Sequence, residues 1–107
     1  IHHEVFHLIQ DSFPKIFNEE VWSNFNKKKF KYAECSTCTD KLGLDIYNNT
    51  NGFLTEYSKS IPSEDMAEVY SFIVTDKENI DQIKKIDPII FNKVEFINSK
   101  LNEINNL

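Results

Sequence analysis

The sequence predicts a mostly α-helical fold. Apolar residues recur at spacings of three and four in several segments, which is the period of an amphipathic helix. Pro14 and Pro88 stand where two of these segments are expected to begin. The chain has 107 residues, enough for one domain with a single modest core and too few for a second. We therefore expect residues 1–107 to form a single, largely helical domain.

The first two helices are predicted from the apolar spacing at the start of the chain. One is expected from about Ile1 to Asp11, with an apolar stripe of Ile1, Val5, Leu8 and Ile9. Pro14 can open a second helix that runs through Asn18 to Phe25 and buries Ile16, Phe17, Val21, Trp22 and Phe25. These two helices are expected to pack as a hairpin.

A long connection with little regular structure is predicted from Asn26 to Gly52, because the composition is polar and a turn cluster closes it. Its lysines, Lys27 to Lys31, fit a solvated loop better than an anion-binding patch. Its two cysteines, Cys35 and Cys38, form a CxxC pair. A local disulfide or free thiols are the preferred interpretations, ahead of a structural metal site, because no histidine stands nearby.

Three helices are predicted in the second half. Ser63 can cap a helix from Glu64 to about Val74, with acidic residues in its first turn and a buried stripe of Met66, Val69, Tyr70 and Ile73. A short helix follows from Asn79 to Ile86. Beyond Pro88, a long amphipathic helix carries Ile90, Val94, Ile97, Leu101 and Ile104 on one stripe.

The first predicted helix carries the motif HExxH, as His3-Glu4-Val5-Phe6-His7. Residues four apart lie on one face of a helix, so His3 and His7 can offer two imidazole nitrogens to one Zn²⁺. Glu4 is then placed to act as the general base that removes a proton from the attacking water. A five-residue pattern can also match by chance on a helix surface. The motif stands at the very start of the sequence, and we expect the chain to be the C-terminal part of a longer protein whose sheet precedes it.

A catalytic zinc site needs a third protein ligand besides the two histidines. Glu64 is the best candidate, in the first turn of the third predicted helix. Glu68 lies one turn later on the same face and can accept a hydrogen bond from the ring N–H of His3, which would fix the orientation of that ligand. The alternative is that Glu64 and Glu68 form an ordinary solvated helix face.

The segments Ile1 to Ile9, Gly52 to Tyr57 and Glu64 to Glu68 together resemble the zinc-binding metallopeptidases typified by cell-surface lipoproteins of Bacteroidetes. More distantly, they are similar to the catalytic domain of anthrax lethal factor. The resemblance implies that the chain is the helical part of an α+β zincin with a glutamate as third ligand: His3, His7 and Glu64 on zinc, Glu4 as general base, and Tyr57 stabilising the oxyanion. Tyr57 can equally be an aromatic residue packed under the Asn51-Gly52 turn. A secreted or cell-surface location is suggested by the resemblance only.

The leading hypothesis is therefore a zinc-dependent metallopeptidase that acts on a protein or peptide. The alternatives are a non-catalytic zincin-like binding module at a cell surface and a metal-free helical interaction domain. This last alternative predicts that Glu64 lies far from both histidines.

Nucleic acid is not expected as a partner, because the net charge is −5 and no concentrated basic face is predicted. No apolar run approaches the roughly 20 residues needed to span a bilayer.

Overall fold

The computed structural model describes residues 2–33 and 50–106. Within these ranges the chain is helical and contains no β-strand. The elements in chain order are α1 (His2–Ser12), α2 (Glu19–Ser23), a single 3₁₀ turn (Tyr57–Lys59), α3 (Pro62–Thr75), α4 (Lys77–Ile86) and α5 (Pro88–Asn105). The predicted mostly helical class is confirmed.

Helix α2 is shorter than the predicted helix from Pro14 to Phe25. Asn18 has an extended backbone, and its side-chain Oδ1 accepts hydrogen bonds from the amides of Glu20 and Val21 at 2.9 and 3.1 Å. An N-cap residue of this kind begins a helix rather than continuing one. The residues around Pro14 therefore form turns, and the helix starts only after Asn18.

The predicted hairpin of the first two helices is also wrong. Both α1 and α2 make their main contacts with α3. Helix α3 also contacts α4, α5 and the 3₁₀ turn. Gln10 of α1 does reach the second helix, where its side-chain amide donates to the Glu19 carboxylate at 3.0 Å. Helix α3 is thus the central element of the described chain.

The apolar stripe predicted for α1 is wrong in part, because Val5 and Leu8 are 37% and 69% exposed. The helix instead turns the face of His3, Phe6, His7 and Gln10 toward α3. Phe6 is fully buried on that face and packs against Phe17 and Tyr70. The histidines are therefore held against the protein interior by a face that the apolar pattern alone did not identify.

Helix α3 begins at Pro62, with Ile61 as its N-cap, so the predicted capping by Ser63 is wrong. Proline at the first helical position has its φ already set for the helix and lacks only an N–H that would have no helical partner there. The start at Pro62 leaves Glu64 and Asp65 in the first turn, as predicted. Of the predicted stripe, Met66 and Val69 are fully buried, and Tyr70 and Ile73 are partly buried.

The last two helices agree closely with the sequence. Helix α4 begins two residues before the predicted Asn79 and ends at Ile86 as predicted. Helix α5 is capped by Asp87, whose Oδ1 accepts from the amides of Ile89 and Ile90 at 3.0 and 3.1 Å. All five residues of its predicted apolar stripe contribute to the core: Ile90, Val94 and Ile97 are buried, and Leu101 and Ile104 pack against them.

The core also contains Trp22 and Phe17 from the predicted stripe of the second helix, whereas Val21 is 47% exposed. Lys27 to Lys29 and Lys31 are exposed, as expected of a solvated loop. Cys35 and Cys38 lie outside the described residues, and the predictions made for them stay predictions.

The turn predicted at Asn51-Gly52 is present, with positive φ at both residues (46° and 94°). Two features of the structure exclude a side chain at Gly52. The backbone is left-handed, and a Cβ would lie 2.8 Å from Cγ2 of Ile89 on α5. The turn therefore packs tightly against α5. It leads into Leu54 and Thr55, which are both fully buried.

None of the helices in the described ranges is both long enough and apolar enough to cross a membrane.

Candidate metal centre

Two histidines of α1 lie side by side at the surface of α3. Their ring centroids are 4.8 Å apart in an edge-to-face arrangement. The side chains of His3 and His7 are 20% and 26% exposed, so each ring is packed on one side and open on the other. This is the arrangement expected of residues four apart on one helix face.

Glu64 reaches the same point from the first turn of α3. Its Oε1 lies 3.4 Å from Nε2 of His3 and also contacts Nε2 of His7. The three potential ligand atoms all lie within 4.8 Å of one another. The metal-free alternative predicted a large separation between Glu64 and the histidines, and the observed distances contradict it.

The donor set fits a zinc ion. Two imidazole nitrogens and one carboxylate oxygen are common zinc ligands, with bonds of about 2.0 to 2.2 Å. In a tetrahedral site such bonds place neighbouring ligand atoms about 3.3 Å apart. The 3.4 Å separation of His3 Nε2 and Glu64 Oε1 is already close to that value. This group can therefore hold a metal ion with little rearrangement.

Glu68 orients His3. Its Oε2 accepts a hydrogen bond from Nδ1 of His3 at 3.1 Å. A carboxylate can only accept, so Nδ1 carries a proton, and Nε2 is the ring nitrogen that faces Glu64 and is available to a metal. The hydrogen bond to Glu68 is the main reason that the pKa of His3 lies above its ordinary value. Burial acts in the opposite direction, but this hydrogen bond and the nearby charges of Glu64 and Glu68 together outweigh it.

The side chain of Thr55 holds Glu68 in place, and sequence reasoning missed this residue. Its hydroxyl donates to Oε1 of Glu68 at 2.9 Å, and its Oγ1 accepts from the amide of Ser58 at 3.2 Å. Both Thr55 and Ser58 are fully buried. A chain of contacts thus runs from the segment before the 3₁₀ turn, through Glu68, to His3.

Glu4 and Tyr57 occupy different places around this group. Glu4 lies on α1 beside His3, and its side chain is exposed. Tyr57 is the first residue of the 3₁₀ turn and is partly exposed. The Tyr57 ring centroid is 5.8 Å from that of His3, so the aromatic side chain lies next to the histidines.

A buried ion pair near this site was also missed by sequence reasoning. Asp65, the neighbour of Glu64, contacts Lys93 of α5, and both side chains are fully buried. The sequence did hold a signal for it. Lys93 stands three residues after Ile90 and four before Ile97, on the apolar side of α5, where a lysine needs an acidic partner.

Comparison with known proteins identifies one family. A family model described as "Putative zinc-binding metallo-peptidase" matches residues 1–103. Searches of curated proteins and of solved structures found no match. The family is described as zinc-binding, in agreement with the predicted cofactor, and its description as a peptidase implies a protein or peptide substrate. Because the match covers nearly the whole chain, the protein belongs to this zinc-binding metallopeptidase family.

Proposed function

We propose that this chain is the helical part of a zincin-like catalytic domain that hydrolyses peptide bonds, with His3, His7 and Glu64 as the zinc ligands. The observation that carries the proposal is the convergence of these three side chains from α1 and α3 within 4.8 Å. Two histidines and one carboxylate leave a fourth position open, which is the pattern of catalytic rather than structural zinc sites. When bound, Zn²⁺ lowers the pKa of a water molecule and polarises the scissile carbonyl group.

Glu4 is the general base in this proposal. It neighbours His3 on α1, and its exposed side chain can reach a water molecule beside the metal-binding group from the open side of the site. The carboxylate accepts a proton from the attacking water and later gives it to the leaving amine. Glu4 takes no part in the contacts described among His3, His7, Glu64 and Glu68, so its carboxylate is available for this transfer.

Tyr57 is proposed to hydrogen-bond the carbonyl oxygen of the substrate. Its ring lies beside His3, and its partial exposure allows the phenol to meet a bound peptide. A hydroxyl donor aimed at an oxygen that gains negative charge lowers the barrier, because the interaction is stronger in the transition state than in the ground state.

His3 needs a fixed ring orientation to serve as a ligand, and Glu68 supplies it. The Nδ1–H to Glu68 hydrogen bond leaves only Nε2 for a metal. Since Glu68 is itself held by Thr55, its carboxylate cannot follow a turn of the ring without breaking a second hydrogen bond.

The experiment compares the full-length protein with its Glu4→Gln and Glu64→Ala variants, by zinc analysis and by cleavage of fluorescein-labelled casein. We expect Glu4→Gln to keep its zinc and lose cleavage, because glutamine cannot accept the proton. Glu64→Ala should lose both. Glu20→Gln, on the exposed face of α2, is the matched control and should change neither. Cleavage by Glu4→Gln at the parent rate would contradict the assignment of the base.

A further inference from the structure

The buried ion pair of Lys93 and Asp65 includes the chain neighbour of Glu64 and has no role in the mechanism above. Nζ of Lys93 is 2.7 Å from Oδ2 of Asp65, and both side chains are 0% exposed. Lys93 also lies over the ring of Phe53, 4.0 Å from its centroid. Asp65 follows Glu64 in the chain, so one residue connects this pair to a proposed ligand.

Stability alone is a weak explanation for such a pair. Removing two charges from water is so unfavourable that apolar replacements of a buried ion pair are often neutral or stabilising. In this pair, Oδ1 of Asp65 is also buried without a hydrogen-bond partner, which adds to the unfavourable side.

The contacts of the pair indicate what it does instead. Besides Asp65, the Lys93 ammonium group donates to the carbonyl oxygen of Gly52 at 2.6 Å. Gly52 begins the segment that carries Thr55 and Tyr57, and Asp65 lies in the first turn of α3. One side chain of α5 therefore holds together the two parts of the chain that complete the site around α1.

Asp65 is held from several sides. Its Oδ2 accepts from Nε1 of Trp22 at 3.0 Å and from the hydroxyl of Tyr32 at 2.6 Å, in addition to Lys93. Three donors converging on one carboxylate oxygen fix its position, and with it the rotation of the first turn of α3 about the helix axis.

We propose that Lys93 and Asp65 are positioning residues, which set the rotation of α3 and the place of the Gly52 to Tyr57 segment so that Glu64 and Tyr57 meet the histidines. This inference rests on the proposed function. A side-chain tip lies roughly 5 to 6 Å from a helix axis, so a rotation of about 10° displaces it by about 1 Å. Metal–ligand distances tolerate only about 0.2 Å. A small rotation of α3 would therefore take Glu64 out of bonding range.

The test uses the full-length protein and the double variant Asp65→Asn/Lys93→Met. This variant removes both charges together, so no unpaired charge is left buried, and an asparagine oxygen can still accept from Trp22. Three quantities are measured: the melting temperature with EDTA, the Zn²⁺ dissociation constant by chelator competition, and the visible spectrum of the Co²⁺-substituted protein. The matched control is Lys100→Met, which removes a partly exposed lysine of the same helix.

We expect the double variant to melt within a few degrees of the parent in EDTA but to bind Zn²⁺ about 10-fold or more weakly, with a changed Co²⁺ spectrum. Lys100→Met should match the parent in all three. A double variant with parental zinc affinity and spectrum would overturn the proposal. If the parent itself bound no Zn²⁺, the proposed function would fail instead, so the two failures are distinguishable.

A second measurement needs no substitution at the ion pair and decides the matter if the double variant does not fold. The Nε1–H group of Trp22 donates to Asp65, so its NMR resonance reports on the pair. We expect Zn²⁺ to slow the hydrogen exchange of this group in the unaltered protein, because a ligand that fixes Glu64 also steadies Asp65. Exchange that stays the same at saturating Zn²⁺ would contradict the coupling.

Discussion

The contact between Glu68 and His3 offers the sharpest test of how the site is oriented. Glu68 is 6% exposed and uses both oxygens, one for His3 Nδ1–H and the other for the Thr55 hydroxyl. In a Glu68→Gln variant the amide oxygen can face His3, while the NH₂ group faces Thr55 Oγ1, which can accept. The substitution therefore removes the charge and keeps the shape and the contacts.

The expected magnitude follows from the change in one hydrogen bond. A hydrogen bond to a charged group contributes about 1.5 to 3 kcal/mol, and a neutral one about 0.5 to 1.5 kcal/mol. The contribution of the hydrogen bond from His3 should thus fall by about 1 to 2 kcal/mol, which corresponds to a 5- to 30-fold weaker Zn²⁺ affinity. This value overlaps the lower end of the roughly 10- to 100-fold loss typical when a residue supporting a metal ligand is replaced.

The assay is chelator competition at pH 8.5, where protons compete little with Zn²⁺ for His3. The difference in Zn²⁺ affinity between the parent and the variant should become smaller toward pH 6. Glu68 raises the pKa of His3, so in the parent a proton competes with the metal to a higher pH than in the variant. Glu95→Gln, an exposed glutamate of α5, is the control. Equal affinity of Glu68→Gln and parent at pH 8.5 would refute the orienting role of this carboxylate.

Three further predictions concern other parts of the fold. In His7→Ala, the rise in melting temperature on adding Zn²⁺ should disappear; His2→Ala, outside the metal-binding group, should keep it. Tyr57→Phe should keep its zinc and cleave casein about 10-fold or more slowly, because a transition-state hydrogen bond is lost; an unchanged rate would leave the ring with a packing role only. Burial tends to raise the pKa of Asp87, but hydrogen bonds from a hydroxyl and three amides outweigh it and hold the pKa below its ordinary value. Asp87 therefore stabilises the fold above the unfolded pKa of about 3.9, and this contribution is lost as the pH falls through the lower folded value. Chemical denaturation between pH 5 and 2 should accordingly show a shallower loss of stability in Asp87→Asn than in the parent, whereas the exposed Asp81→Asn should follow the parent.

Each half of the site could be predicted because the information within it is local. The spacing of His3 and His7 lies within one helical turn, and so does that of Glu64 and Glu68. Only the packing of α1 on α3 had to be supplied by the resemblance. The roles proposed for these residues in catalysis stay predictions.

The second helix was predicted too long because two local signals compete. The apolar spacing from Ile16 to Phe25 favours one continuous helix, but the Asn18 side chain satisfies the amides of a new helix start. Periodicity does not reveal which signal prevails. The prediction that Val5 and Leu8 are buried was wrong for another reason. The polar face of α1 turns inward, because its side chains have partners on α3.

The buried pair could not be assigned from the sequence. Lys93 is a charge on an apolar face, but Asp65 is 28 positions away and has several acidic neighbours that are equally plausible partners by composition. The choice depends on how α3 rotates against α5, which is a property of the packed fold. Thr55 was missed for the same reason, since its only distinguishing feature is contact with Glu68 across 13 positions.

The most direct test of the account is the zinc content of the purified full-length protein and of its Glu64→Ala variant, by elemental analysis after removal of loosely bound metal. The account predicts one zinc per chain in the parent, and its loss or marked weakening in the variant, since Glu64 joins α3 to the histidines of α1. Absence of zinc from the parent, or an equal zinc content in both proteins, would contradict the three-ligand site.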